Sequence, residues 1–182
     1  GLWFAALSAD VWAADLPGEE LLTNRSFESV GPLGPVIYAY KGWTVRKGLV
    51  AGGWAGLPCG PEAVIEMIQG ESAHSGNAFM RISSGSQSPE VFSEPFYQTA
   101  PGMCFEVSVW ARGNGRGSLF AYEYGDGIMG GRYVRSFDLT PEWNQHSGIY
   151  FPDGRCKQIR FVLRTLPGST ADYDDLGMVK LR

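Results

Sequence analysis

The chain has 182 residues, 44% of them hydrophobic, which is enough for one domain with a full core. Aromatics at 13%, with 25 glycines and 11 prolines, favour a β-rich domain with many turns over a helical or disordered chain. A formal charge of −4 with no basic stripe argues against a nucleic-acid partner, no polybasic run marks a membrane surface, and no apolar run reaches the roughly 18 residues of a spanning helix.

The first twenty residues, GLWFAALSADVWAADLPGEE, differ in character from the rest of the chain. VWA ahead of ADLPGEE has the small-x-small form of a secretory cleavage site, and GLWFAALSA reads as the end of an apolar leader. The same stretch also suits an apolar arm, residues 1–16, that docks on its own domain or adds a strand to a neighbouring subunit. Both readings put the protein outside the cytoplasm or in an assembly: secreted, extracellular or at the cell surface. Asn24 opens an Asn-Arg-Ser glycosylation triplet, a pattern short enough to arise by chance.

From Leu21 to residue 182 the pattern is that of one domain, short apolar runs broken by turns. Residues 62–69, EAVIEMIQ, suit a strand or a helical turn, because Val64, Ile65 and Ile68 also share a helical face. GESAHSGNAFMRI crowds a histidine, two serines and two glycines ahead of the alternating Ala78, Met80 and Ile82. In MCFEVSVWARG, Phe105, Val107, Val109 and Ala111 share one face and Glu106, Ser108, Trp110 and Arg112 the other, the period of a half-buried strand. KQIRFVLRT repeats it, with Ile159, Phe161 and Leu163 inward and Arg160, Val162 and Arg164 outward. SLFAYEY, RYVRSFDL, WNQHSGIYF and YDDLGMVKL are further strands, and their spacing predicts an all-β sandwich or jelly roll of antiparallel sheets.

GDGIMG, at 125–130, matches a dinucleotide-binding glycine pattern in letters only. Another strand comes after it where such a site needs a helix, so it reads as a hairpin loop. His74 and His146 stand outside any metal-spaced motif, and no GxSxG elbow or cysteine-protease signature is present. Cys59, Cys104 and Cys156 form no CxxC pair, and their disulfide state stays open. The chain therefore reads as a binding or structural domain and not as an enzyme.

Several segments in order resemble the carbohydrate-binding modules of families 4, 9 and 22, galactose-binding-like jelly rolls. These are ELLTNRSFESV, GWTV at 42–45, AHSGNAFMRI, APGMCFEVSVWARG, EWNQHSGIYFPDG and ADYDDLGMVKL. The resemblance implies a structural calcium between the first strand, the Ser-Gly turn and the last strand. Side-chain oxygens would come from Glu28 and Asp174, carbonyls from Ser26 and Ala78, and a hydroxyl from Ser75; calcium takes six to eight hard oxygens of this kind. The alternative is a plain turn in which His74 and Ser75 satisfy local backbone groups.

The resemblance also implies polysaccharide or surface glycan as the partner, bound by aromatic platforms and polar groups. Candidate contacts are Trp110 with Arg112 and Glu106 on one strand, Arg160 and Arg164 on another, Tyr122 and Tyr124 nearby, and Trp54 in its glycine-rich loop. Trp43 and Trp143 fall at positions that look like core. Phe92 stands near where some relatives carry a stacking tryptophan. The expected function is non-catalytic adsorption; the alternative is a subunit of an extracellular filament, a homo-oligomer joined through residues 1–16.

Overall fold

The computed structural model describes residues 18–22, 25–29, 36–40, 43–47, 51–70 and 72–181, with only the backbone described within 36–47. The arm of residues 1–16, Asn24 and the side chain of Trp43 lie outside the described residues. Fourteen strands and no helix occur among those that are described. They are β1 (Glu19–Glu20), β2 (Val36–Tyr40), β3 (Trp43–Lys47), β4 (Trp54–Leu57), β5 (Val64–Gln69), β6 (Ala78–Ser83) and β7 (Glu90–Ser93). The second half supplies β8 (Tyr97–Gln98), β9 (Phe105–Asn114), β10 (Arg116–Tyr124), β11 (Ile128–Asp138), β12 (Asn144–Tyr150), β13 (Gln158–Thr165) and β14 (Thr170–Lys180).

They form two antiparallel sheets, an all-β sandwich as expected. One is six-stranded, in the order β12-β9-β14-β6-β5 with β1 also on β14. The other is eight-stranded, in the order β11-β10-β13-β7-β4-β3-β2 with β8 also on β13. Glu19 and Glu20, on the arm side of the boundary drawn at Leu21, pair with Lys180 and Val179. The ambiguous segment at 62–69 is strand β5, paired residue for residue with β6.

The core between the sheets follows the alternation of the sequence. Phe105, Val107, Val109 and Ala111 of β9 meet Leu119, Ala121, Ile159, Phe161 and Leu163 from the facing sheet, all buried. Burying one such large apolar side chain stabilises the fold by about 1.5–3 kcal/mol. A second, smaller cluster of Ala55, Leu57, Phe92, Phe120 and Val162 sits on the opposite side of the eight-stranded sheet. The glycine-rich loop at 125–127 joins β10 to β11 as a hairpin, closed by the Gly125 N–H on the Gly127 carbonyl at 2.9 Å. Gly113, at φ 140°, lies near the end of β9, still paired with β14, just before the chain crosses to β10 in the other sheet; a Cβ there would lie 2.0 Å from the Thr170 carbonyl, so only glycine fits.

Where the two sheets meet along one side, β11 lies against β12. Arg135 donates to the Ser147 carbonyl at 2.8 Å and Arg132 to the Phe151 carbonyl at 3.0 Å. His146 stacks on Phe137 there, centroids 3.9 Å apart. Cys59, Cys104 and Cys156 are all free thiols.

Candidate functional site

The strand register divides the expected contact residues between opposite outer faces of the sandwich. Both β9 and β13 turn one face to the core, but they belong to different sheets, so Trp110, Arg112 and Glu106 point away from Arg160 and Arg164. Tyr122 and Tyr124, on β10, fall with the second group. A single site built from all of them is ruled out. Trp54 is corrected as well: it is 1% exposed in the core, edge-on to Phe27 at 5.5 Å. Strand β4 turns Trp54 inward and Ala55 and Leu57 outward, so the indole has no path to a ligand.

On the eight-stranded sheet, register lines up a transverse apolar row. Tyr133, Phe120, Val162, Phe92 and Ala55 are successive cross-strand neighbours on β11, β10, β13, β7 and β4. A row of Ser118, Arg164 and Glu90 flanks it on one side, and Tyr122 opposite Arg160 flanks it on the other. The guanidinium of Arg164 lies over the Phe120 ring at 3.9 Å, and that of Arg160 over Phe96 at 4.1 Å and Phe92 at 5.2 Å. Such cation–π contacts gain strength as water is removed from them.

Glu90, almost fully buried, fixes this face. Its carboxylate takes the Arg164 Nε–H at 2.8 Å, a second bond from Arg164 Nη2, and the Tyr122 hydroxyl at 2.6 Å. Burial, and then the Glu90 charge, push the Tyr122 phenol well above its usual range and lift the Cys59 thiol to about 11. Arg160 is 8% exposed; one Nη donates to the Glu94 carbonyl at 3.2 Å, while its Nε finds no partner. The rim is open: Tyr133 is 56% and Phe96 42% exposed, and Tyr124 stands edge-on to Phe96 at 5.0 Å. Phe96 and Tyr133 were missed in the sequence, where neither Ser-Glu-Pro-Phe nor an edge strand marks a platform.

The outer face of the six-stranded sheet is organised differently. Trp110 stacks on His74, and His74 meets Trp143 edge-on at 5.9 Å. Trp143, half-buried and not in the core, covers Phe79 together with Arg112, whose guanidinium lies 4.6 Å from the indole. Arg112 and Arg81 both bind the buried carboxylate of Asp172, at 3.0 and 2.7 Å. Arg112 is thus committed within the protein, whereas Trp110 and Glu106 line a groove of about 620 Å³.

The residues of the expected calcium site do converge. Asp174, fully buried, accepts the backbone N–H groups of His74 at 2.9 Å, Ser75 at 3.0 Å and Asp175 at 2.8 Å. Burial, partly offset by those donors, raises its pKa to about 6. Glu28 accepts the N–H groups of Asn77 at 3.0 Å and Ala78 at 3.1 Å. The Ser75 hydroxyl donates to Asp175 at 2.7 Å, and the same carboxylate meets His74 Nδ1 at 2.7 Å. Ser26 sits in the turn ahead of Phe27, which is held at φ 57°. Five N–H donors thus fall on these two carboxylates, three on Asp174 and two on Glu28 Oε1. Among the described residues no group of three acidic, His or Cys side chains is placed to hold a metal. As arranged, these residues form a hydrogen-bonded clamp joining segments about 50 and 100 residues apart.

No protein-family model matches the sequence, and no curated protein does. Solved structures do match. The CBM22-1 xylan-binding domain of Paenibacillus barcinonensis Xyn10C superposes over 91% of this chain and 96% of its own, with TM-score 0.57 and 16% identity. A family 4 carbohydrate-binding module, CBM4, covers 87% of this chain and 98% of its own, at TM-score 0.51 and 12% identity. The CBM22-1-GH10 modules of Clostridium thermocellum xylanase 10B, complexed with xylohexaose, match over 70% of this chain but only 26% of that one, at TM-score 0.55 and 16% identity. The chain spans about a quarter of that enzyme. At these identities the likeness is one of fold: the sandwich is similar to those of the carbohydrate-binding modules on which it superposes.

Proposed function

We propose that the protein is a non-catalytic, secreted glycan-binding module that adsorbs to polysaccharide through the outer face of its eight-stranded sheet. One observation carries this reading: on this face Tyr133 and Phe96 stand exposed beside the guanidiniums of Arg164 and Arg160, above a row of Phe120, Val162, Phe92 and Ala55 that is itself buried and only backs them. Pyranose rings offer apolar faces to such rings and hydroxyls to such donors, and no bond is made or broken. Similarity to a xylan-binding domain makes xylan and xylohexaose the first ligands to try. The test is calorimetric titration of the wild type, Tyr133→Ala and Phe96→Ala. Each ring is exposed, so the fold survives its loss, and each truncation removes about 1.4 kcal/mol of contact, a tenfold weaker Kd. Unchanged affinity in both variants refutes the assignment of this face.

Calcium at the Glu28–Asp174 clamp, implied by the resemblance, is a separate proposal with a separate test. It requires those carboxylates, with the carbonyls of Ser26 and Ala78 and the hydroxyl of Ser75, to give up the donors they now hold. Its readout is thermal stability with calcium and with chelator.

A further inference from the structure

We infer that the groove on the outer face of the six-stranded sheet is a second saccharide site, taking a neutral pyranose ring against Trp110, so that the module binds on both sides of its sandwich. Strands β12, β9 and β14 are neighbours in that sheet and form the floor. The Trp110 indole is backed on one face by His74 at 3.8 Å, which fixes its orientation as a platform. Gln145 is the cross-strand partner of Trp110, and Ser147 that of Ser108, so polar side chains sit beside the ring. The side chains of Glu106, Ser108, Gln145 and Ser147 make no hydrogen bond to another described residue and line the groove.

Gly177 keeps the floor open: a Cβ there would lie 2.7 Å from the Ser108 hydroxyl. It stands at the irregularity in the pairing of β14 with β9, the kind of bulge that re-aims side chains beside binding sites. Size and charge select the ligand class. About 620 Å³ is within the range of small-molecule sites. Glu106 offers a carboxylate to the hydrogen bonds of sugar hydroxyls, while Glu20 holds Arg25 and Asp175 holds Ser75 and His74; three carboxylates against Arg25 leave the groove negative, so a neutral sugar is admitted and a uronate or sulfated one repelled. Sites on opposite faces let one module bridge two chains, raising avidity without new contacts. The bridging rests on the proposed function; the groove itself does not.

The test is the stoichiometry of a neutral oligosaccharide panel, with xylohexaose and cellohexaose as probes, by calorimetry on the full chain. Wild type is expected to bind two ligands. Trp110→Ala is expected to lose one of them, and Glu106→Gln, which preserves shape and the His74 stack, to weaken the same one about tenfold. Tyr133→Ala should spare the groove. One ligand per chain, weakened by Tyr133→Ala but untouched by both groove variants, overturns the inference and leaves the proposed function standing. One ligand lost in the groove variants and kept in Tyr133→Ala supports the groove and overturns the first face instead. Absence of binding by the wild type overturns both.

Discussion

The indole of Trp110 and the imidazole of His74 lie face to face, ring centroids 3.8 Å apart and 16° from parallel. Through Nδ1 the same imidazole reaches Asp175 at 2.7 Å, so one ring ties the groove to the clamp. Stacked pairs of this kind are worth about 0.5–1.5 kcal/mol beyond their buried area, and a hydrogen bond to a charged group about 1.5–3. His74→Ala should therefore destabilise the protein by about 2 kcal/mol in urea denaturation. His74→Phe, which keeps the stack and loses the bond, should fall between it and wild type; equal stability of all three would refute the coupling.

Glu90 and Arg164 form a largely buried pair, with side chains 6% and 16% exposed. Removing one partner of such a pair strands the other, at a cost of about 3–5 kcal/mol. Glu90→Ala is expected near the lower end of that range, because the Arg164 head is not fully enclosed. Arg164→Lys should not restore wild-type stability, since an ammonium cannot match the two bonds that the guanidinium makes to Glu90. The denaturant midpoint checks both.

At the clamp, Gly76 holds φ at 60°, and a Cβ there would lie 2.2 Å from the Glu28 carboxylate. Gly76→Ala should cost about 1–3 kcal/mol through strain. Added calcium or chelator should leave the melting temperature of wild type unmoved if hydrogen bonds alone close the clamp. A rise with calcium that Asp174→Asn abolishes would establish the metal reading.

His146 gives the pH dependence a sign. Burial against Phe137, and then the Arg135 charge, hold its pKa below 6.5, so it is neutral in the fold. The unfolded chain takes up the proton at higher pH. This group's contribution is therefore present above about pH 6.5 and lost as pH falls through the lower folded value. His146→Phe, which cannot titrate, should flatten that part of a plot of melting temperature against pH; an unchanged slope would assign it elsewhere.

Alternation along β9 and β13 was legible in the sequence, because a period of two records one buried face however the strand is paired. What alternation does not record is the sheet to which a strand belongs. Trp110 and Arg160 share outward parity, yet outward means opposite directions when β9 and β13 lie in different layers. Trp54 was misplaced for a related reason. Its glycine-rich surroundings read as a loop, whereas β4 pairs with both β3 and β7 and turns the indole inward. The convergence of Glu28, the 74–78 turn and Asp174 came from resemblance alone, since contacts this far apart leave no local pattern. The donors that fill those carboxylates are backbone N–H groups, which side-chain letters do not reveal.

The arginine contacts between β11 and β12 bear on how copies of the chain can meet. Arg132 and Arg135 already occupy the Phe151 and Ser147 carbonyls, the groups by which an incoming strand would register itself. Templated growth along that margin would have to evict two guanidiniums. At the far margin of the same sheet β5 pairs only with β6 among the described residues, and its Val64 is 46% exposed. Among the described residues, then, the two margins of the six-stranded sheet are unlike: backbone acceptors at the β12 side are held by guanidiniums, and the β5 side shows an exposed valine.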